Sequence, residues 1–113
     1  MNDCIFCKIA KKEIPADIRY EDDFIIVFPD MKPEAPVHWL IIPKQHLSCF
    51  RDGVCQEKIM GHIFSKISDI AKLAGISEDG FRIVINTGDD GGQTVMHFHA
   101  HLLGGRFMQW PPG

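Results

Sequence analysis

Apolar residues fall along this chain in short clusters, separated by prolines, glycines and acidic turns. Phe24 to Phe28 is a run of aromatic and β-branched residues stopped by Pro29, and it predicts a central strand. Trp39 to Ile42, closed by Pro43, predicts the next strand. Ile18 to Glu21 predicts a short strand before the Asp22-Asp23 turn, and Phe81 to Asn86 a later one. Met96 to Leu103 alternates with period two and predicts the last strand. The clear helical period lies between Cys55 and Ala74. There Ile59, Met60, Ile63, Phe64, Ile67, Ile70, Ala71 and Ala74 share a face, with Gly75 just past the end. Cys4 to Lys12 predicts a short helix that ends ahead of Pro15. Five short strands, one long helix and a short N-terminal helix predict an α+β fold: an antiparallel sheet with the long helix on one face. The 113 residues suit a single domain over residues 1–113.

The last predicted strand carries His97, His99 and His101 at every second position. On a strand these three point one way, while Phe98, Ala100 and Leu102 point the other way, into a core. One metal ion cannot take all three. At a rise of roughly 3.3 Å per residue the outer Cα atoms lie about 13 Å apart. The row therefore suggests divided roles, with imidazole serving as nucleophile, acid or hydrogen-bond donor. The preceding segment, "NTGDDGGQT", residues 86 to 94, has three glycines that would let backbone N–H groups approach an anion. Gln93 and Thr94 add side-chain donors to it.

Composition narrows the classes without choosing one. A net charge of −3 argues against a nucleic-acid partner. No apolar run is long enough to span a bilayer, so no membrane role and a cytoplasmic address are expected. In a reducing compartment, Cys4 and Cys7, in "CIFC", suggest metal binding or redox chemistry before a disulfide. Cys49 and Cys55 are expected to be core or surface thiols, and His62 a solvated helix residue. His38, just before a strand, is expected either to support the site or simply to pack.

"HFHAHLL", residues 97 to 103, resembles the signature of the histidine triad superfamily. "IFCKIAKKEIPA", "VFPDMKPEAPVHWLIIPKQH", "NTGDDGGQT" and the closing "WPPG" are similar to its HINT branch, the nucleoside phosphoramidase-like proteins. The resemblance implies a HIT-like α+β fold and a homodimer in which two five-stranded sheets become continuous. It implies binding of purine nucleoside monophosphates and hydrolysis of phosphorus–nitrogen bonds in their phosphoramidates; no Mg²⁺-binding motif is visible in the sequence, so a mechanism without Mg²⁺ is expected. His99 matches the nucleophile, which would carry the nucleotide as a covalent intermediate. His101 matches the residue that hydrogen-bonds the phosphate, and Thr94 the hydroxyl that assists the leaving group. Asn86, Gly92, Gln93 and Val95 match phosphate-side contacts, and Asp30 the carboxylate that accepts the ribose hydroxyls. Phe6, Ile9, Phe28 and Met31 match the pocket for the base. Trp110 matches a residue reaching toward the partner subunit's site. Pro29, Met96 and Ala100 depart from the residues common at their places in the family.

The same resemblance implies a structural zinc held by Cys4, Cys7, His46 and His97, tying the N-terminus to the sheet. Two rival functions remain open at this stage: dinucleoside polyphosphate hydrolysis, and purine-nucleotide binding in a regulatory role.

Overall fold

The computed structural model describes residues 3–53 and 56–113. Elements run in the order α1 (Ile5–Ala10), β1 (Tyr20–Glu21), β2 (Ile25–Pro29), β3 (Val37–Pro43), α2 (Phe50–Gly53), α3 (Glu57–Leu73), β4 (Phe81–Val84) and β5 (Ala100–Gly104). The five strands form one sheet in the order β1-β2-β3-β5-β4, with every neighbouring pair antiparallel. The α+β expectation holds.

Each sheet face has its own core, and the alternation along β2 and β3 explains why. Ile25, Val27, Trp39 and Ile41 pack on one side with Ile63, Ile67, Ile70 and Ala71 of α3. Ile26, Phe28, Leu40 and Ile42 pack on the other with Phe6 and Ile9 of α1. The two central strands are thus apolar on both faces, as their unbroken β-rich runs require. Gly75 has φ +75 and follows the Ala74 cap, as its position predicted. Phe64, expected on the buried stripe, is 49% exposed. It lies at the edge of a stripe whose centre is filled by Ile63 and Ile67. The expected helix start at Cys55, and the expectation for that thiol, lie outside the described residues. Cys49 is buried.

His62 is not a free surface residue. Its Nε2 lies 2.6 Å from Asp22 Oδ2, which also accepts from the Tyr20 hydroxyl at 2.9 Å. Asp22 Oδ1 accepts the amides of Phe24 and Ile25. One carboxylate therefore ties the β1–β2 turn to α3. Partial burial acts to raise its pKa, but the bonds from His62, the two amides and Tyr20 outweigh that and hold it at about 2. An acid whose folded pKa is depressed stabilises the fold above its unfolded pKa and stops doing so as pH falls through the folded value. Asp22→Ala is expected to cost about 1–3 kcal/mol at neutral pH. The deficit, read from urea midpoints, should shrink as the pH is lowered from about 4 toward 2. A pH-independent deficit would contradict this reading.

Candidate active site

The histidine row lies on the α1 face of the sheet, and only its last member belongs to a ladder. The expected strand from Met96 to Leu103 pairs only from Ala100, opposite Ile41. In that register Phe98 would face Pro43, which has no N–H to give to Phe98 O and whose own carbonyl accepts from His97 Nε2. The Phe98 amide turns instead to Leu47 O. The two-face alternation survives all the same. Phe98, Ala100 and Leu102 are buried against the α3 core. Phe6 of α1 meets His97 and His99 edge-on, with ring centroids 5.8 and 5.2 Å away.

Hydrogen bonds to backbone fix what each imidazole offers. His99 Nδ1 lies 2.8 Å from His97 O, and a carbonyl can only accept, so Nδ1 carries the proton. The lone pair of neutral His99 is therefore on Nε2. His38 Nδ1 accepts the amide of Glu34 at 3.0 Å. Neutral His38 must then carry its proton on Nε2, which donates to His101 Nδ1 at 2.8 Å. That leaves His101 with its proton on Nε2. This nitrogen is buried and has no partner among the described residues. Burial, followed by the neighbouring rings of His99 and His38, pushes the His101 pKa down to about 4, with Asp30 acting in the opposite sense. The site thus sets a basic nitrogen on His99 beside an N–H donor on His101, with ring centroids 5.0 Å apart. A nucleophile beside a fixed donor is what substitution at phosphorus requires. His38 supports the site: it positions His101, and its Nε2 also lies 3.4 Å from Asp30 Oδ2.

The loop before the row departs from expectation in how it is wired. The amide of Gly88 donates to Gln93 Oε1, that of Gly92 to Asp89 O, and that of Gln93 to Gly88 O. Gln93 Nε2 donates to Ser48 O at 2.7 Å and Val95 O at 3.0 Å. Gly92 and Gln93 therefore have no N–H to spare for a phosphate, and Gln93 acts as the pin that shapes the loop. The glycines serve the turn itself. A side chain on Gly91 would collide with Thr87 O, and Gly92 has φ +78. The amides of Thr94 and Val95, next to the histidine row, make no hydrogen bond among the described residues and are free to meet an anion. Thr94 is exposed and Asn86 half-buried.

The expected base pocket is assembled only in part. Phe6, Ile9 and Phe28 cluster, with Val95 against them. Met31 stands 94% exposed on the loop after β2, outside that cluster. Asp30 is half-buried next to it, with Oδ1 accepting the Lys32 amide. Trp110 is 80% exposed, and the Arg82 guanidinium lies 5.9 Å from its ring.

Cys4, Cys7, His46 and His97 converge as a second constellation, with their donor atoms all within 4.8 Å of one another. His97 Nε2 donates to Pro43 O at 2.8 Å, which turns the Nδ1 lone pair inward. That atom lies 3.2 Å from Cys4 Sγ, 3.5 Å from Cys7 Sγ and 3.1 Å from His46 Nδ1. Burial drives the His97 pKa down to about 4, so the ring stays neutral and able to ligate. Two sulfurs and two inward imidazole nitrogens at these separations can hold a metal ion, and the donor set suits four-coordinate binding. One motif so supplies both sites: His97 turns to the cysteines, His99 and His101 to the pocket.

Three comparisons place this geometry among known proteins. The family model described as the HIT domain matches residues 11–108. An uncharacterised HIT-like protein of Synechococcus elongatus is 51% identical over 112 residues, covering 98% of this chain and 97% of that one. Protein HitA of Neisseria gonorrhoeae is 46% identical over 105 residues, covering 92% and 97%. Among solved structures, a HIT family hydrolase from Legionella pneumophila superposes with a TM-score of 0.94 at 46% identity, covering 98% of this chain and all of that one.

Proposed function

Because the chain belongs to the HIT-domain family, we propose that it is a hydrolase of purine nucleoside 5′-phosphoramidates, releasing a nucleoside monophosphate and an amine. The observation that carries this reading is the pair of opposed tautomers: a lone pair on His99 Nε2 beside an unpartnered N–H on His101. His99 Nε2 attacks the phosphorus as the P–N bond to the amine breaks. The departing nitrogen keeps that electron pair and takes a proton from the Thr94 hydroxyl, which regains one from solvent. The His101 N–H and the amides of Thr94 and Val95 stabilise charge on the phosphoryl oxygens. Water then attacks phosphorus and gives up a proton to solvent, the P–N bond to His99 breaks, and the imidazole returns with its lone pair. Asp30 receives the ribose hydroxyls, and Phe6, Ile9 and Phe28 the base.

Zinc at Cys4, Cys7, His46 and His97 belongs to the same proposal, as a structural ion that supplies cross-linking only. So does a homodimer. β4 is an outer strand of the sheet, and Phe81, Phe107 and Trp110 are exposed at or near it. Assembly there would bring Trp110 toward a neighbouring site.

The test compares kcat/KM for an adenosine 5′-phosphoramidate with that for a diadenosine polyphosphate, on protein whose mass is also read by light scattering. The phosphoramidate is expected to be preferred at least tenfold, on a two-chain particle. Preference for the polyphosphate would favour the rival hydrolysis.

A further inference from the structure

Between the start of α1 and the segment entering the histidine row lies an open groove of about 450 Å³, lined in part by Asp3, Ile5, His46, Thr94 and Met96. At one end it meets Thr94 and Val95 of the reaction scheme, and Cys4 and His46 of the metal cluster form part of its wall; Asp3, Ile5 and Met96 serve neither. It reaches the edge of the site at Val95, which lines it and packs against the cluster that contains Phe6. Ile5 neighbours Phe6, whose ring meets His99, and Thr94 precedes Val95, which packs against the same aromatic cluster. Ile5 and Met96 are 46% and 52% exposed, an apolar lining. The charged side chain in that lining is the Asp3 carboxylate, which has no ion-pair partner among the described residues.

We propose that this groove holds the amine half of the substrate and selects amines with a short aliphatic body ending in a positive charge. The proposal rests on the phosphoramidate reading, because Thr94 must stand beside the leaving nitrogen for the amine to enter here. From that nitrogen, an alkyl chain running away from the nucleotide lies along Ile5 and Met96 and brings its far end toward Asp3. A cation there gains a carboxylate; a second carboxylate would meet like charge. His46 turns Nδ1 toward Cys7 Sγ and His97, so its other ring nitrogen faces outward and the wall stays polar on that side without adding a negative group.

Three adenosine 5′-phosphoramidates of similar length test this, made from 1,4-diaminobutane, butylamine and 4-aminobutyrate. The expected order of kcat/KM is cationic, neutral, anionic, with steps of roughly two- to fivefold at low salt, the scale of a solvent-exposed ion pair. Asp3→Asn should collapse the order and Asp3→Lys invert it, at unchanged metal content. High salt should compress it in the unaltered protein. The Kd values of the same compounds for the His99→Ala protein read the groove apart from chemistry. If no compound turns over but the Kd values keep the order and Asp3→Asn erases it, the groove stands and the reaction reading falls. If turnover proceeds with no order, or with an order that Asp3→Asn leaves intact, the groove assignment is overturned. An absence of order in both turnover and Kd overturns it equally.

Discussion

His99→Ala is expected to lower turnover of an adenosine 5′-phosphoramidate by roughly three orders of magnitude or more, the scale seen when a covalent nucleophile is removed. Neither neighbour can replace it. His97 Nε2 is bonded to Pro43 O and its Nδ1 points at the cysteines. His101 Nδ1 is occupied by His38, and its Nε2 carries a proton rather than a lone pair. Nucleotide binding should fall far less, because the His101 N–H, the Thr94 and Val95 amides and Asp30 all remain. The ring is buried against Phe6, so truncation also opens a small cavity, and a melting curve must accompany the kinetics. Single-turnover reactions of the unaltered protein, quenched in denaturant at alkaline pH where a phosphorus–imidazole bond survives, should show the nucleotide on an imidazole, and the variant should show none. A variant within tenfold of the parent, or a nucleotide found on another side chain, would remove His99 from the mechanism.

Much of the framework was legible because its residues leave few choices. Phe24 to Phe28 and Trp39 to Ile42 are too short and too β-branched for buried helices, and Pro29 and Pro43 mark their ends. The period of α3 was equally clear, apart from Phe64 at its margin. α2 was not foreseen. Four residues rich in turn formers carry no period to read. The strand through Met96 to His99 was misread for a specific reason. Alternation in sequence reports which face a side chain occupies, and it says nothing of where the backbone amides bond. Pro43 has no N–H and gives its carbonyl to His97 Nε2, yet Phe98 stays in the core.

The candidate site was legible as a set of residues and much less so as a set of roles. The triad spacing pointed to His99. Its tautomer, however, depends on His97 O, and that of His101 depends on a chain through His38 to the Glu34 amide, far away in sequence. Gln93 reads as a ligand donor from "GGQT" alone, and only the carbonyls of Ser48 and Val95 show that its hydrogens are already taken. His62 looked solvated because Asp22 lies forty positions away. Long-range pairing decided each of these cases.

Stripping metal from the Cys4, Cys7, His46 and His97 cluster should produce the second large effect, on stability. Protein from metal-replete cells is expected to carry about one zinc per chain, and a strong chelator to lower its stability by about 4 kcal/mol, the mass-action contribution of a ligand present at about 1,000 times its Kd. The four ligands come from distant segments: the cysteines lie on or beside α1, His46 after β3, and His97 just before β5. Without the ion, the α1 side is left with thiol–imidazole hydrogen bonds and the packing of Phe6 and Ile9. A chelator separates the alternatives in a way substitution alone does not. If the cluster works only through such hydrogen bonds, Cys7→Ser should cost about 1 kcal/mol and a chelator nothing. If it holds zinc, Cys7→Ser and chelation should cost similar amounts and should not add. Turnover should fall after chelation and return with added zinc, because Phe6 borders His99 while no ligand touches the reacting phosphorus. Should Cys7→Ser fail to accumulate, Cys4→Ser and the chelator titration carry the same test. A metal content near zero with both thiols reduced, and a melting curve indifferent to chelator, would leave the N-terminus held by thiol–imidazole hydrogen bonds and apolar packing without an ion.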